Sequence, residues 1–400
     1  MLPDGDPAPT SGHAVSDEAV WAQVEAGLAP TAARVAAVAA SKRLHLGQAG
    51  VARHAAELSA AVLGAGPLEP WLHHPDVTDV LVNGIDGVWV DRGGGVERVA
   101  CEVGGAPEVR QLAVRLAGLA GRRLDDSTPY VDGLLPGGVR LHAVLPPLVA
   151  GAAHLSLRVP RRTSPRLDDL VRWGCFPADW APVLRDLVSA RVSFVVSGGT
   201  GTGKTTLMAA LLAEVEPAAR IVLVEDVREL SVDHPHVVRL QARPANVEGR
   251  GEVDLVTMTR QALRMRPDRL VVGEVRGAEV REMLAALNTG HDGGCSTVHA
   301  NTSADVIPRF EALGVLAGLP PPAVRTQLAS AVQVVAHLRR SGGRRHLAEI
   351  GVLASSPGDG LEVQPALAFA PTTGAAQGPG WTRLASLLGR PGAAPPGGSS

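Results

Sequence analysis

The sequence predicts an α/β chain: a doubly wound sheet organised around one glycine-rich loop, preceded by a smaller α+β domain and an N-terminal helical segment. Three observations carry this. A stretch of pattern G-x-x-x-x-G-K-[ST] runs from Gly198 to Thr205, with an apolar strand pattern before it and a helix pattern after it. Strand-like and helix-like segments then alternate to about residue 353, the order that gives a parallel sheet with helices on both faces. Upstream, short alternating runs flank one amphipathic helix, the pattern of a helix-backed antiparallel sheet.

Bulk composition sets limits on this reading. A chain of 400 residues is long enough for two or three domains, and 45% hydrophobic content supports packed cores. A net charge of -2 gives no general electrostatic case for nucleic acid or an anionic membrane. Cys101, Cys175 and Cys295 are widely spaced and form no C-x-x-C pair, so neither a disulfide framework nor a four-cysteine zinc site is expected. A reducing, cytoplasmic compartment fits this cysteine usage. No apolar run reaches the length of a membrane span, so any membrane association is expected to be peripheral.

In chain order, residues 1–15 are polar and Pro/Gly-rich and are expected to be disordered. Residues 16–66 carry a helical apolar series through Val20, Val24, Leu28, Val35 and Val38, ended by Gly64-Ala65-Gly66-Pro67. An α+β domain is expected over 67–160. Its strands are read at Thr78–Asn83, Gly87–Asp91, Val139–Leu145 and His154–Val159, and its helix at Val109–Leu119. The proline-bracketed stretch 161–170 reads as a linker.

Residues 171–355 form the doubly wound domain. Strands are expected at Val192–Ser197, Ile221–Glu225, Val237–Leu240, Leu270–Glu274 and Ser296–His299. Helices are expected at Lys204–Val215, Val253–Met265, Ala278–Leu287 and Ser303–Leu316. The tail 372–400, apart from Trp381–Leu388, is Gly/Pro/Ala/Ser-rich and is expected to be disordered.

The central loop, Gly198-Gly199-Thr200-Gly201-Thr202-Gly203-Lys204-Thr205-Thr206, has the chemistry of a phosphate cradle. Its glycines let backbone N–H groups converge on phosphate oxygens, and the helix that follows adds partial positive charge. Lys204 is placed to bridge the outer phosphates of ATP, and the Thr205 hydroxyl to ligate Mg²⁺. Two apolar runs end in acids: Ile221–Val224 in Glu225-Asp226, and Leu270–Val272 in Gly273-Glu274. An acid at such a strand end can hold Mg²⁺ through its waters or polarise an attacking water. Gly273-Glu274 stands where an apolar run is usually followed by Asp, so the strand bearing the metal-side acid stays open on the residues alone. The stretch Gly290–Asn301 places His291 and His299 around a short strand, and a histidine there can donate to a γ-phosphate oxygen. Arg339-Arg340 and Arg344-Arg345 cluster without interleaved aromatics, which reads as a solvated face rather than a nucleic-acid surface.

These boxes together resemble the type II/type IV secretion ATPase superfamily. The likeness rests on Gly198–Thr206, on Leu263–Arg269 leading into Gly273-Glu274-Val275-Arg276-Gly277, on Ser296–Asn301, and on Ile221–Leu230 as an "Asp box". Upstream, Gly66–Pro70, Thr78–Gly84, Gly121–Asp125 and Leu135–Arg140 through Pro147 are similar to the branch that assembles tight-adherence (Flp) pili. The absence of a tetracysteine motif separates the chain from the type II secretion and type IVa pilus-assembly branches.

The resemblance implies a RecA-like P-loop ATPase domain and a homo-hexameric cytoplasmic motor docked on inner-membrane platform proteins. It implies Lys204 and Thr205 as Walker A residues, Glu274 as the Walker B acid and metal-side group, Glu225 as the Asp-box acid and His299 as the His-box residue. Arg276 is included among the site residues, and Arg140 and Arg158 are implied as the arginines that meet the γ-phosphate. Cys295 stands where an apolar residue is expected. A conjugation or type IV secretion motor, and a slow-turnover nucleotide-dependent regulator, remain alternatives at this point.

Overall fold

The computed structural model describes residues 64–160, 164–243, 250–356 and 360–396. The chain divides into two compact units, Met1–Arg162 and Thr163–Ser400. The disordered start and the helices expected before residue 64 lie outside the described residues.

The first unit holds α1 (Glu69–His73) and six antiparallel strands: β1 (Asp79–Asn83), β2 (Val88–Asp91), β3 (Val96–Val99), β4 (Tyr130–Leu134), β5 (Arg140–Val144) and β6 (His154–Arg158). Their order across the sheet is β3-β2-β1-β6-β5-β4. One face is apolar because the strands alternate. Val80, Val82, Val88, Val90, Leu141, Ala143, Leu155 and Leu157 are buried, and they pack with Val109, Leu112, Ala113 and Leu116 of α2 (Ala106–Leu119). β3 and β4 are additions to the sequence reading. β3 (Val-Glu-Arg-Val) buries none of its residues, so it has no apolar alternation to detect. β4 contains Gly133, where a side chain would collide with the Ala120 Cβ at 2.6 Å.

The second unit opens with α3 (Leu167–Arg172), so helix begins inside the stretch read as a linker. It continues through α4 (Trp180–Ser189), β7 (Phe194–Gly198), α5 (Lys204–Leu212), β8 (Ile221–Glu225), β9 (Val237–Gln241), α6 (Leu255–Leu263), β10 (Arg269–Val272), α7 (Glu279–Leu287), β11 (Cys295–Val298), α8 (Val306–Leu316) and α9 (Pro321–Ala331). It ends with β12 (Val334–Ser341), β13 (Arg344–Ser356), β14 (Gly360–Ala370), β15 (Gly374–Gln377) and α10 (Trp381–Leu387). One nine-stranded sheet runs β15-β14-β13-β12-β7-β11-β10-β8-β9. The run from β12 to β9 is parallel, and β13 to β15 extend it antiparallel.

Successive residues of the parallel strands point to opposite faces. Phe194, Val196, Leu223 and Val271 join a core with α4 and α5, whereas Val195, Val272 and Val298 join one with α7, α8 and α9. The central strands are therefore largely apolar, as both-face burial requires. Cys295 serves as an apolar core residue: it is 1% exposed, and burial pushes its thiol up to about 12.

Two expectations are corrected here. The sheet does not end at 355, and the tail from 372 is not without structure. β14 and β15 add to the free edge of β12–β13, and Trp381, Leu384, Ala385 and Leu388 bury against the same core as the phosphate-loop helix. The Trp381 indole donates to the Ala393 carbonyl at 2.8 Å. Composition hid this segment because Pro365 interrupts the strand pattern. It sits beside a register shift, one of the few places a strand tolerates proline.

Candidate functional site

β7 is buried along its whole length between β11 and β12, and its last residue is Gly198. There the chain turns sharply. A Cβ on Gly198 would sit 2.6 Å from the Leu338 carbonyl oxygen and 2.7 Å from Thr202 Oγ1, so only glycine fits. Gly203, with φ of 99°, caps α5 in the left-handed region and supplies no side chain to its first amides. The N–H groups of that first turn are thereby left for an anion.

Lys204, the first residue of α5, is buried. Its Nζ donates to the carbonyls of Gly198 and Gly199 at 3.0 and 2.9 Å. Thr202 Oγ1 also donates to the Gly199 carbonyl, at 2.9 Å. Burial lowers the Lys204 pKa, while the carboxylates of Glu274 and Glu229 act in the opposite direction. The ammonium thus rests on carbonyls of the loop itself. Gly199, Thr200, Gly201, Thr205 and Thr206 complete the turn and the start of the helix.

The neighbouring strands bring the acid and the histidine. Glu274 follows β10 and His299 follows β11. Glu274 Oε1 lies 2.9 Å from His299 Nε2, and Lys204 Nζ lies 3.4 Å from the same nitrogen. The short contact to a carboxylate assigns the proton to Nε2. Burial, then the charge of Lys204, lowers the His299 pKa, and Glu274 partly offsets them. The ring is therefore neutral near pH 7. The turn holding Glu274 is tied to β11 twice: Thr297 Oγ1 donates to the Gly273 carbonyl at 2.7 Å, and Val275 N donates to the Thr297 carbonyl at 2.9 Å.

The structure places Glu225 and Arg276 differently from the sequence expectation of direct site groups. Glu225 is buried at the end of β8, and its Oε1 accepts from the backbone amides of Glu229 and Leu230 at 2.9 and 2.8 Å. Its stem packs on Gly273, where a Cβ would meet Glu225 Cγ at 2.8 Å. Burial raises its pKa, and the two amides oppose that. Glu225 thus shapes the loop after β8. The same loop carries Glu229, an exposed acid whose charge is felt at both Lys204 and His299. Sequence reading missed Glu229. The available signal was a third acid in the run Glu225-Asp226-Val227-Arg228-Glu229, one loop beyond the strand end. Arg276 pairs with Asp226, which joins the turn after β10 to the loop after β8.

Arg140 and Arg158 belong to the first unit. They are direct register partners on β5 and β6, and Asp79 of β1 is the next partner in the same row. They lie on the face of their sheet opposite the apolar face that packs with α2.

The site fits a nucleoside triphosphate with Mg²⁺. A cradle that excludes Cβ, a buried lysine resting on loop carbonyls, and a threonine hydroxyl on the first helical turn form the donor set that phosphate oxygens and their metal require. Among the described residues no cluster of three or more His, Cys, Asp or Glu side chains forms a metal cage. Magnesium bound with a nucleotide takes most of its ligands from phosphate and water, so Thr205 with one carboxylate suffices. Among the described residues no helix is long and apolar enough to cross a membrane.

Known proteins resemble the chain in sequence and in fold. A Mycobacterium tuberculosis protein named for conjugal transfer is 53% identical over 320 residues, covering 78% of this chain and 91% of its own length. The type IV secretion system protein VirB11 of Brucella suis is 31% identical over 317 residues, covering 71% of this chain and 88% of its own. Among solved structures, the Legionella pneumophila ATPase DotB has a TM-score of 0.51 at 19% identity, covering 72% of this chain and 81% of that one, which is a likeness of fold. Residues 62–349 match the type II/IV secretion system protein family, and the chain belongs to that family.

Proposed function

We propose that the protein is an ATP-hydrolysing motor of the type II/IV secretion class, working as a homo-hexamer on inner-membrane platform proteins from the cytoplasmic side. The observation that carries this is the convergence of Lys204, Glu274 and His299 at the phosphate loop, with the charge of Glu229 directed at the same point. When bound, Mg·ATP would supply the phosphoanhydride and the metal charge that partly neutralises its outer oxygens. Lys204 would exchange its loop carbonyls for phosphate oxygens, and Thr205 would hold the metal. Glu274 and Glu229 are the two carboxylates available to orient a water and take its proton. Neutral His299 offers one N–H, now on Glu274, to a γ-phosphate oxygen. Arg140 and Arg158 are proposed to supply positive charge to that oxygen.

Within the class, we propose assembly of a tight-adherence pilus, on the upstream stretches that resemble that branch. A second reading, conjugal transfer, is favoured by the names of the relatives at 53% and 31–33% identity. The purified chain is expected to release phosphate from ATP, and Lys204→Ala to abolish nucleotide binding or turnover. Equal turnover in the two would overturn the ATPase reading. Deletion of the gene in its host then separates the branches: lost surface pili with intact DNA transfer supports the first, and the reverse result supports the second.

A further inference from the structure

On the side of β7 away from His299 lies a second histidine. His337 of β12 is the register partner of Ser197, the residue before Gly198. It is 3% exposed. Its Nδ1 lies 2.9 Å from Ser197 Oγ. We assign the ring proton to Nε2, where the Asn301 backbone favours it, so the Ser197 hydroxyl donates to Nδ1. That Nε2 is buried and faces the Asn301 backbone, which already draws on its proton, but the approach falls short of full hydrogen-bond geometry. The Asn301 backbone and the Asp305 carboxylate are the groups around it that favour a proton there; Arg339 and His346 act against one. Asn301 stands two residues beyond His299.

The strand is irregular at the same point. The pairing of β12 with β13 shifts register between His337 and Leu338, and the Leu338 carbonyl is the group that excludes a side chain from Gly198. Bulges of this kind gather beside functional sites, where they re-aim a side chain. A buried N–H whose hydrogen bond is not fully formed is costly, and an apolar residue on this face would avoid the cost. The opposite partner of His337 on β13, Glu349, has its own interaction with Ser303, so the segment after His299 faces polar groups from two adjacent strands.

We propose that His337 is a positioning residue linking the stem of the phosphate loop to the segment that carries His299, its Nδ1 holding Ser197 and its Nε2–H closing on the Asn301 carbonyl when a γ-phosphate draws that segment in. This rests on the nucleotide reading of the site. ADP has no γ-phosphate and leaves the second bond unmade. The link therefore discriminates triphosphate from diphosphate without touching either.

The test compares ADP and a non-hydrolysable ATP analogue as ligands for the purified full chain. His337→Asn keeps an acceptor near the Nδ1 position and is too short to reach Asn301. The expected result is ADP affinity within about twofold of wild type and analogue affinity lower by roughly tenfold, the worth of one hydrogen bond. His337→Gln keeps the reach of Nε2 and loses the Ser197 acceptor; it should show the same selective loss, and adding Ser197→Ala to it should cost nothing more. Equal loss for both ligands would mean a merely structural role, and wild-type affinity for both would mean the link is not used; either overturns the proposal. Unaltered analogue binding by Lys204→Ala would instead bring down the nucleotide reading itself.

Discussion

Lowering the pH should destabilise the protein through His337 in a way that one substitution removes. Burial is the largest cause holding this imidazole down to about 4 from the ordinary 6.5; Arg339 and His346 add to it, and the Asn301 backbone and Asp305 oppose it. Between those two values the unfolded chain binds a proton that the native state refuses, so stability is full above pH 6.5 and falls as the pH falls toward 4. At roughly 1.4 kcal/mol per pH unit for one proton, the loss is about 2 kcal/mol by pH 5 and about 3 kcal/mol at its limit. Other histidines titrate too, and His299 and His346 are also shifted down. The informative quantity is therefore the difference between wild type and His337→Gln. Urea denaturation of both at pH 7.5 and pH 5 should show the variant losing about 2 kcal/mol less than wild type. Parallel losses would mean that His337 accepts its proton in the folded state and that its burial has been misjudged.

Further substitutions separate the carboxylates, the glycine and the arginines. Glu274→Gln and Glu229→Gln should each retain ADP binding and lose most phosphate release. Glu225→Gln should keep turnover, because an amide oxygen still accepts from the Glu229 and Leu230 amides; a silent Glu229→Gln with an inactive Glu225→Gln would reverse the assignment. Gly198→Ala should impair nucleotide binding, since its methyl group meets the Leu338 carbonyl at 2.6 Å; ordinary affinity for ADP would show that the loop has slack. Arg140→Ala or Arg158→Ala should reduce turnover on the scale of ~10³ with little change in ADP affinity. Full activity in both variants would leave the γ-phosphate to the second unit or to a neighbouring subunit.

Much of the fold is legible where local pattern and tertiary demand agree. Ile221–Glu225 is a strand over the span its apolar run indicates, because both faces of that strand are buried and no polar residue interrupts it. The phosphate loop is readable for a related reason. Its glycines and lysine answer to backbone geometry and to an anion, and both demands are local in sequence. β13 to β15 were not read because their pairing is set by the free edge of β12. The Pro/Gly-rich composition of the last strands matches that of a loop. α10 was visible only as an exception in the tail; its packing depends on apolar surface that α4 and the antiparallel strands leave uncovered.

The site divides along the same line. Lys204, Glu274 and His299 come together because each follows a strand of one parallel sheet, and in such a sheet the strand C-termini share one edge. A motif reader can exploit that rule without knowing the strand order. Glu225 obeys the same rule and still points elsewhere. Two backbone amides of its own loop capture the carboxylate, a competition that no strand pattern encodes. Glu229 gains its position from that capture. His337 is harder still, because 140 residues separate it from Ser197 and β12 enters the sheet on the far side of β7 from β11. Only the crossover order makes them neighbours. The phosphate loop is therefore gripped from both flanks: by His299 and Glu274, which the motifs announce, and by a buried histidine on β12 whose role is set by topology alone.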